Sequence, residues 1–199
     1  MKKRLLPLAA MALMLLMLFS ACSKGEKSTD TDAAVNDTTV SATEEVKEET
    51  HNVFGKFETV TVDGKKIDQT VFEGKITVVN IWTTYSVPCK EQMAVFEKIS
   101  KEYADKNINV IGIASDVKKE ADGKYNPDLL ADAQEIIEDE SITYTNILPC
   151  DELNEAKLSS MKYVPETVIL DEKGNIIGDS YEGTMSYDEW CRAVDGALK

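Results

Sequence analysis

The stretch NIWTTYSVPCKEQM, residues 80–93, decides the fold. It ends a nearly continuous apolar run, KITVVNIW (75–82), whose length and Val/Ile content suit a strand covered on both faces. After a short turn comes Pro88, and Cys89, Gln92, Met93, Phe96 and Tyr103 then recur at the helical period. Ser86 stands where such a helix takes its N-cap, its oxygen free to accept a first-turn N–H. A buried strand thus runs directly into an amphipathic helix with Cys89 in the first turn. The helix dipole there favours a thiolate, while an inward-facing thiol is favoured protonated, and the pattern leaves the balance open.

The flanking segments extend the same architecture. FETVTVDGKKID (57–68) alternates as a hairpin about Asp63-Gly64. NINVIGIAS (107–115) reads as a second buried strand and YTNILP (144–149) as a third. Between them, NPDLLADAQEIIEDE (126–140) has Asn126 as cap, Pro127 at the first helical position, and Leu129, Leu130, Ala133, Ile136 and Ile137 turned inward. ELNEAKLSSM (152–161) is a short helix, ETVILDEKGNIIGDSYEG (166–183) a hairpin turning at Lys173-Gly174-Asn175, and SYDEWCRAVDGAL (186–198) a closing helix. Strands alternating with helices and ending in an antiparallel hairpin predict an α/β fold, a mixed central sheet with helices on both faces.

The chain before this domain is of another kind. MKKRLLPLAAMALMLLMLFSAC (1–22) has a cationic start, an apolar stretch and small residues before Cys22, the order of an export signal. It resembles a bacterial lipoprotein signal, which makes residues 1–21 the removable peptide and Cys22 the acylated residue. Residues 22–52 are rich in Ser, Thr, Asp and Glu with almost no large apolar side chains, so they read as a disordered tether that cannot bury enough surface to offset its ordering entropy. The globular domain spans 53–199 and sits, on this reading, on the extracytoplasmic face of the cell membrane, held there by lipid.

With 36 acidic against 22 basic residues and a net charge of −14, the chain is a poor candidate for nucleic acid. Its single histidine, His51, lies at the end of the tether, away from any Cys/His cluster, and no Gly-rich phosphate loop is present. Neither a metal nor a cofactor is expected.

Two stretches carry a resemblance. VVNIWTTYSVPCKEQM (78–93) is similar to the strand, Trp, aromatic and Cys-x-Pro-Cys of the TlpA/ResA type of thioredoxin-like proteins, and YVPETVILDEKGNIIG (163–178) is similar to their cis-proline loop and following hairpin. The resemblance implies a thioredoxin-like fold, membership among membrane-tethered thiol-disulfide oxidoreductases, and thiol or disulfide proteins of the envelope as partners, with a membrane thiol reductase as electron donor. Trp82, Tyr85, Pro88, Cys89 and Pro165 match the family's positions; Trp82, Tyr85, Val87 and Val164 fall on its substrate groove. Two positions depart from it. The attacking cysteine falls on Ser86, and the acid often found six residues later falls on Gln92.

Ser86 is no conservative replacement. Exchange needs a thiolate, and a serine hydroxyl neither ionises here nor forms a disulfide. The candidate catalytic positions are therefore Cys89, Ser86 as cap or altered nucleophile, and Pro165 opposite. Cys150, which follows the third strand, is a candidate redox partner for Cys89 if the strands are parallel, since both then leave the sheet at one end. Cys191, between Trp190 and Arg192, reads as packing.

Two alternatives stand beside the oxidoreductase. Peroxiredoxins place Ser or Thr three residues before their reactive cysteine, as Ser86 is to Cys89, but they have a proline where Trp82 stands and an activating arginine, and the only arginine after Arg4 is Arg192. The other is a non-catalytic module that holds an extended peptide in the groove formed by Tyr85, Val87 and the Val164-Pro165 turn. Anchoring is directly testable: the wild-type chain should incorporate labelled fatty acid and partition with membranes, and Cys22→Ala should lose the label. Equal labelling of both proteins rules out the lipoprotein assignment.

Overall fold

A computed structural model describes residues 52–199. The signal, Cys22, nearly all of the tether and His51 lie outside the described residues. Among the described residues, seven strands and four α-helices follow one another as β1 (Glu58–Val60), β2 (Lys66–Asp68), β3 (Ile76–Trp82), α1 (Val87–Glu102), β4 (Ile108–Ala114), α2 (Pro127–Asp139), β5 (Thr145–Ile147), α3 (Asp151–Ala156), β6 (Glu166–Leu170), β7 (Tyr181–Glu182) and α4 (Tyr187–Ala197). β1 and β2 form the hairpin expected around Gly64, whose φ of 85° is the left-handed turn conformation a glycine adopts without strain.

The main sheet has the order β5-β4-β3-β6-β7. β4 runs parallel to β3 and to β5, while β6 is antiparallel to β3 and β7 to β6. Every residue of β3 is buried, because the strand has a neighbour on each side and packed side chains on each face. The pleat divides its side chains. Val78 and Trp82 join one core with Met93 and Phe96 of α1, Ala133 and Ile136 of α2, and Trp190 and Val194 of α4. Val79 and Ile81 join a second core on the opposite face with Phe54, Phe72, Cys150 and Leu153 of α3. Helices cover both faces as the sequence predicts. On α2 only Ala133 and Ile136 are fully buried; Leu129, Leu130 and Ile137 pack half-buried at the edge of that core.

Trp82 is tied across the sheet. Its indole N–H donates to Asn146 Oδ1 at 2.9 Å, passing over Gly112 of the intervening β4. A Cβ on Gly112 would lie 1.8 Å from that oxygen and 3.1 Å from the indole nitrogen. Gly112→Ala must break the bond or displace β5, so it should lower stability by about 3 kcal/mol, seen as a Tm drop of roughly 6–12 °C. A Tm within about 1 °C of wild type would show that the crossing is not close.

Candidate active site

The site forms where β3 leaves the sheet. Ser115, just past β4, donates both its N–H (2.9 Å) and its hydroxyl (3.0 Å) to the Trp82 carbonyl. Asp116 then grips the next turn: its carboxylate accepts the Thr84 N–H at 3.0 Å and the Thr84 hydroxyl at 2.6 Å. Two strand ends are thereby pinned together, which fixes the direction in which the chain enters α1. Ser86 caps that helix as expected, its backbone extended (φ −96°, ψ 108°) and its Oγ accepting the Cys89 N–H at 3.4 Å.

Cys89 is fully buried beneath this cap, in the core that holds Trp82, Met93 and Phe96. The opposition left open by the sequence is resolved against the thiolate. Burial raises the Cys89 thiol above its ordinary pKa, the Asp116 carboxylate pushes the same way, and polar contacts from Ser86 and Thr83 lower it by less.

Gln92, at the acid position, lies one turn deeper and almost fully buried. Its Oε1 accepts the Met185 N–H at 2.8 Å, so it anchors the loop leading into α4, while its Nε2 has no partner. A glutamine here is a structural tie between α1 and that loop.

The Val164–Pro165 peptide bond is cis, as the resemblance implied. The antiparallel register that sets Glu166 opposite Ile81 carries the loop before β6 up beside Trp82 and Thr83. Thr83, Tyr85, Asp116, Tyr163 and Val164 consequently line one cleft of about 540 Å³, whose far wall is Asn154, Leu158 and Met161. Tyr85 (76% exposed) and Tyr163 (63%) line it with their side chains largely open to solvent, while Val87 (65% exposed), expected in the groove, is not among its lining residues.

Two groupings expected from sequence are corrected. Trp82 is not part of the groove: it is wholly buried and held by Asn146. Cys150 is not brought to Cys89. The strands are parallel, as that pairing required, but β5 lies two strands from β3, roughly 10 Å laterally, and the two cysteines belong to cores on opposite faces. A disulfide needs Cα atoms within about 7 Å. All three described cysteines are free thiols; Cys191, half-buried on α4, packs at the edge of the core that holds Trp190.

Sequence reading missed Thr83, Asp116, Tyr163 and the lysines Lys118 and Lys162, which also line the cleft. Asp116 had one signal, an isolated acid directly after the apolar strand NVIGIAS, and its partner Thr84 lies 32 residues earlier.

Comparison with known proteins agrees with this geometry. Residues 51–178 match the model of the AhpC/TSA family. The chain is 32% identical over 140 residues to the thioredoxin-like protein YneN of Bacillus subtilis (strain 168), covering 70% of this chain and 75% of that protein. It is 23% identical over 116 residues to the thiol-disulfide oxidoreductase ResA of Halalkalibacterium halodurans, covering 58% of this chain and 59% of that one. Among solved structures, a thiol:disulfide interchange protein of the thioredoxin family from Chlorobium tepidum TLS superposes with a TM-score of 0.60 at 24% identity, over 72% of this chain and 94% of that one. The fold is thioredoxin-like. The chain belongs to the AhpC/TSA family, as a thioredoxin-like protein of the TlpA/ResA type.

A thiol whose folded-state pKa is raised contributes stability that is fully present below the unfolded thiol's pKa and is lost as pH rises through the folded value. Native Cys89 should accordingly react with iodoacetamide at about pH 8 far more slowly than half-exposed Cys191, with a rate still climbing into the alkaline range. Ser86→Ala should cost about 1 kcal/mol of stability through the lost cap without speeding that reaction. Rapid alkylation of Cys89 at about pH 7 would overturn the buried-thiol description.

Proposed function

We propose that this protein is a lipid-anchored, extracytoplasmic member of the thiol-disulfide oxidoreductase family that engages thiol- or disulfide-bearing polypeptides in the cleft between Tyr85 and Tyr163 and has lost the ordinary dithiol cycle. One observation carries the reading: the position that should attack a disulfide is a helix-capping serine, and the thiol it covers is fully buried and held protonated. Attack requires an accessible thiolate, and Cys89 offers neither access nor charge. The cleft keeps its aromatic rim and its cis-proline loop, the features that a partner rather than an electron needs. Thiol- or disulfide-bearing proteins as the partner class follow from reading the chain with relatives named thiol-disulfide oxidoreductases. Anchoring at the membrane rests on the Cys22 pattern.

The three-residue spacing of Ser86 and Cys89 also favours a thiol peroxidase that uses Cys89. The charge acting on that thiol speaks against it, because Asp116 raises its pKa where a peroxidase would place a cation, and Arg192 is exposed on α4.

Wild type should neither reduce insulin in the presence of dithiothreitol nor consume peroxide. Ser86→Cys should supply a second thiol beside Cys89; the two close into one disulfide as the insulin disulfide becomes two thiols, and dithiothreitol returns the pair to its reduced form. Partial turnover is expected, since Gln92 supplies no proton acceptor, and Gln92→Glu should raise it. Insulin reduction by wild type that Cys89→Ala abolishes would overturn the reading, as would peroxide consumption by wild type.

A further inference from the structure

The cleft beside Ser86 differs in charge from the molecule around it. The chain carries a net charge of −14, yet this cleft is lined by two lysines, Lys118 and Lys162, and by a single carboxylate. That carboxylate, Asp116, is engaged with the Thr84 N–H and hydroxyl. Lys118 and Lys162 are both exposed, and neither forms an ion pair among the described residues, so both ammonium groups are open to a ligand. They come from different elements, Lys118 from the segment after β4 and Lys162 from the loop before β6, and meet only because the sheet brings those ends together. The exposed rings of Tyr85 and Tyr163 line the same cleft.

Unpaired cations beside an aromatic rim suit one ligand chemistry. A carboxylate side chain can reach each ammonium while an apolar neighbour covers a ring, and the surrounding negative field repels the same peptide from the rest of the surface. A basic peptide meets the reverse: attraction everywhere except at the cleft.

We propose that Lys118 and Lys162 make this cleft selective for extended polypeptide segments that carry Asp or Glu beside an apolar or aromatic residue. This rests on the reading of the cleft as a polypeptide site and names the class of client it takes. Rim charges act mainly on association rate and salt dependence, so the selectivity is moderate and strongest at low ionic strength.

The test uses the full chain in detergent and three fluorescent decapeptides that share the same aromatic positions and differ only in carrying Glu, Gln or Lys at the remaining variable ones. Fluorescence anisotropy should rank them Glu, then Gln, then Lys at about 20 mM salt, with the Glu advantage shrinking severalfold by about 200 mM. The double variant Lys118→Glu/Lys162→Glu should bind the Glu peptide about tenfold more weakly and the Lys peptide more tightly, with an unchanged Tm because both positions are exposed. Lys65→Glu, outside the cleft, should leave the ranking as it is. An unchanged ranking in the double variant overturns the charge selectivity. If instead all three peptides bind wild type equally and Tyr163→Ala abolishes that binding, the cleft stands as a polypeptide site and only its selectivity falls. Absence of binding by any peptide overturns both. Binding of the Glu peptide that appears only after residues 23–50 are deleted would assign the cleft to the chain's own acidic segment and overturn the client proposal.

Discussion

Strand β3 has no exposed residue, and most of the molecule follows from that constraint. A strand paired on both edges and packed on both faces can leave the sheet only at its ends, so its exit at Trp82 is where the chain becomes accessible again. The chain does not wander there. Ser115 and Asp116, at the end of the parallel neighbour β4, take up the Trp82 carbonyl and the Thr84 N–H and hydroxyl, groups that would otherwise be left at the edge of the core. With the turn held, α1 starts at a defined point and Ser86 meets the Cys89 N–H. The cleft is made by the same strand ends, because the antiparallel pairing of β6 lifts the Val164-Pro165 loop to the same rim.

Cys89 shows how two effects of known sign are ranked by their surroundings. A helix N-terminus stabilises an anion by about 0.3–1 kcal/mol when exposed and up to about 2 kcal/mol when partly buried. Taking a thiolate fully out of water can shift its pKa by more than that, up to roughly 3–5 units at about 1.4 kcal/mol each. Here the thiol has no exposed surface and its nearest acting charge is a carboxylate, so desolvation prevails. Ser86 supplies the acceptor oxygen that a helix cap needs, and its hydroxyl offers no ionisable sulfur.

The features that resemble the family's binding surface, an aromatic after the strand and a cis-proline loop facing it, persist in the fold, while the two positions that carry its ionisable groups hold Ser86 and Gln92. Gln92 is more than an absence. Its carbonyl oxygen holds the loop before α4, a role open to any residue with an acceptor there, and a neutral side chain fills it without the cost of burying a charge.

What the sequence by itself determined is whatever depends on neighbours along the chain. Periodicity marked β3, β4 and the helices, Ser86 and Asn126 announced their caps, and Asp63-Gly64 announced its hairpin, because side-chain spacing and local hydrogen bonds act over a few residues. The resemblance carried by YVPETVIL supplied the cis-proline loop. Contacts across the sheet were beyond it. A mixed sheet was legible, but not that β5 runs parallel two strands from β3 or that Cys89 and Cys150 go to different cores. Nor could spacing show that Trp82 turns inward to Asn146, that Asp116 belongs to Thr84, or that Lys118 and Lys162 face one cleft. Those pairings join positions 32 to 64 residues apart, and strand order, register and the pleat bring them together, none of which any short segment encodes.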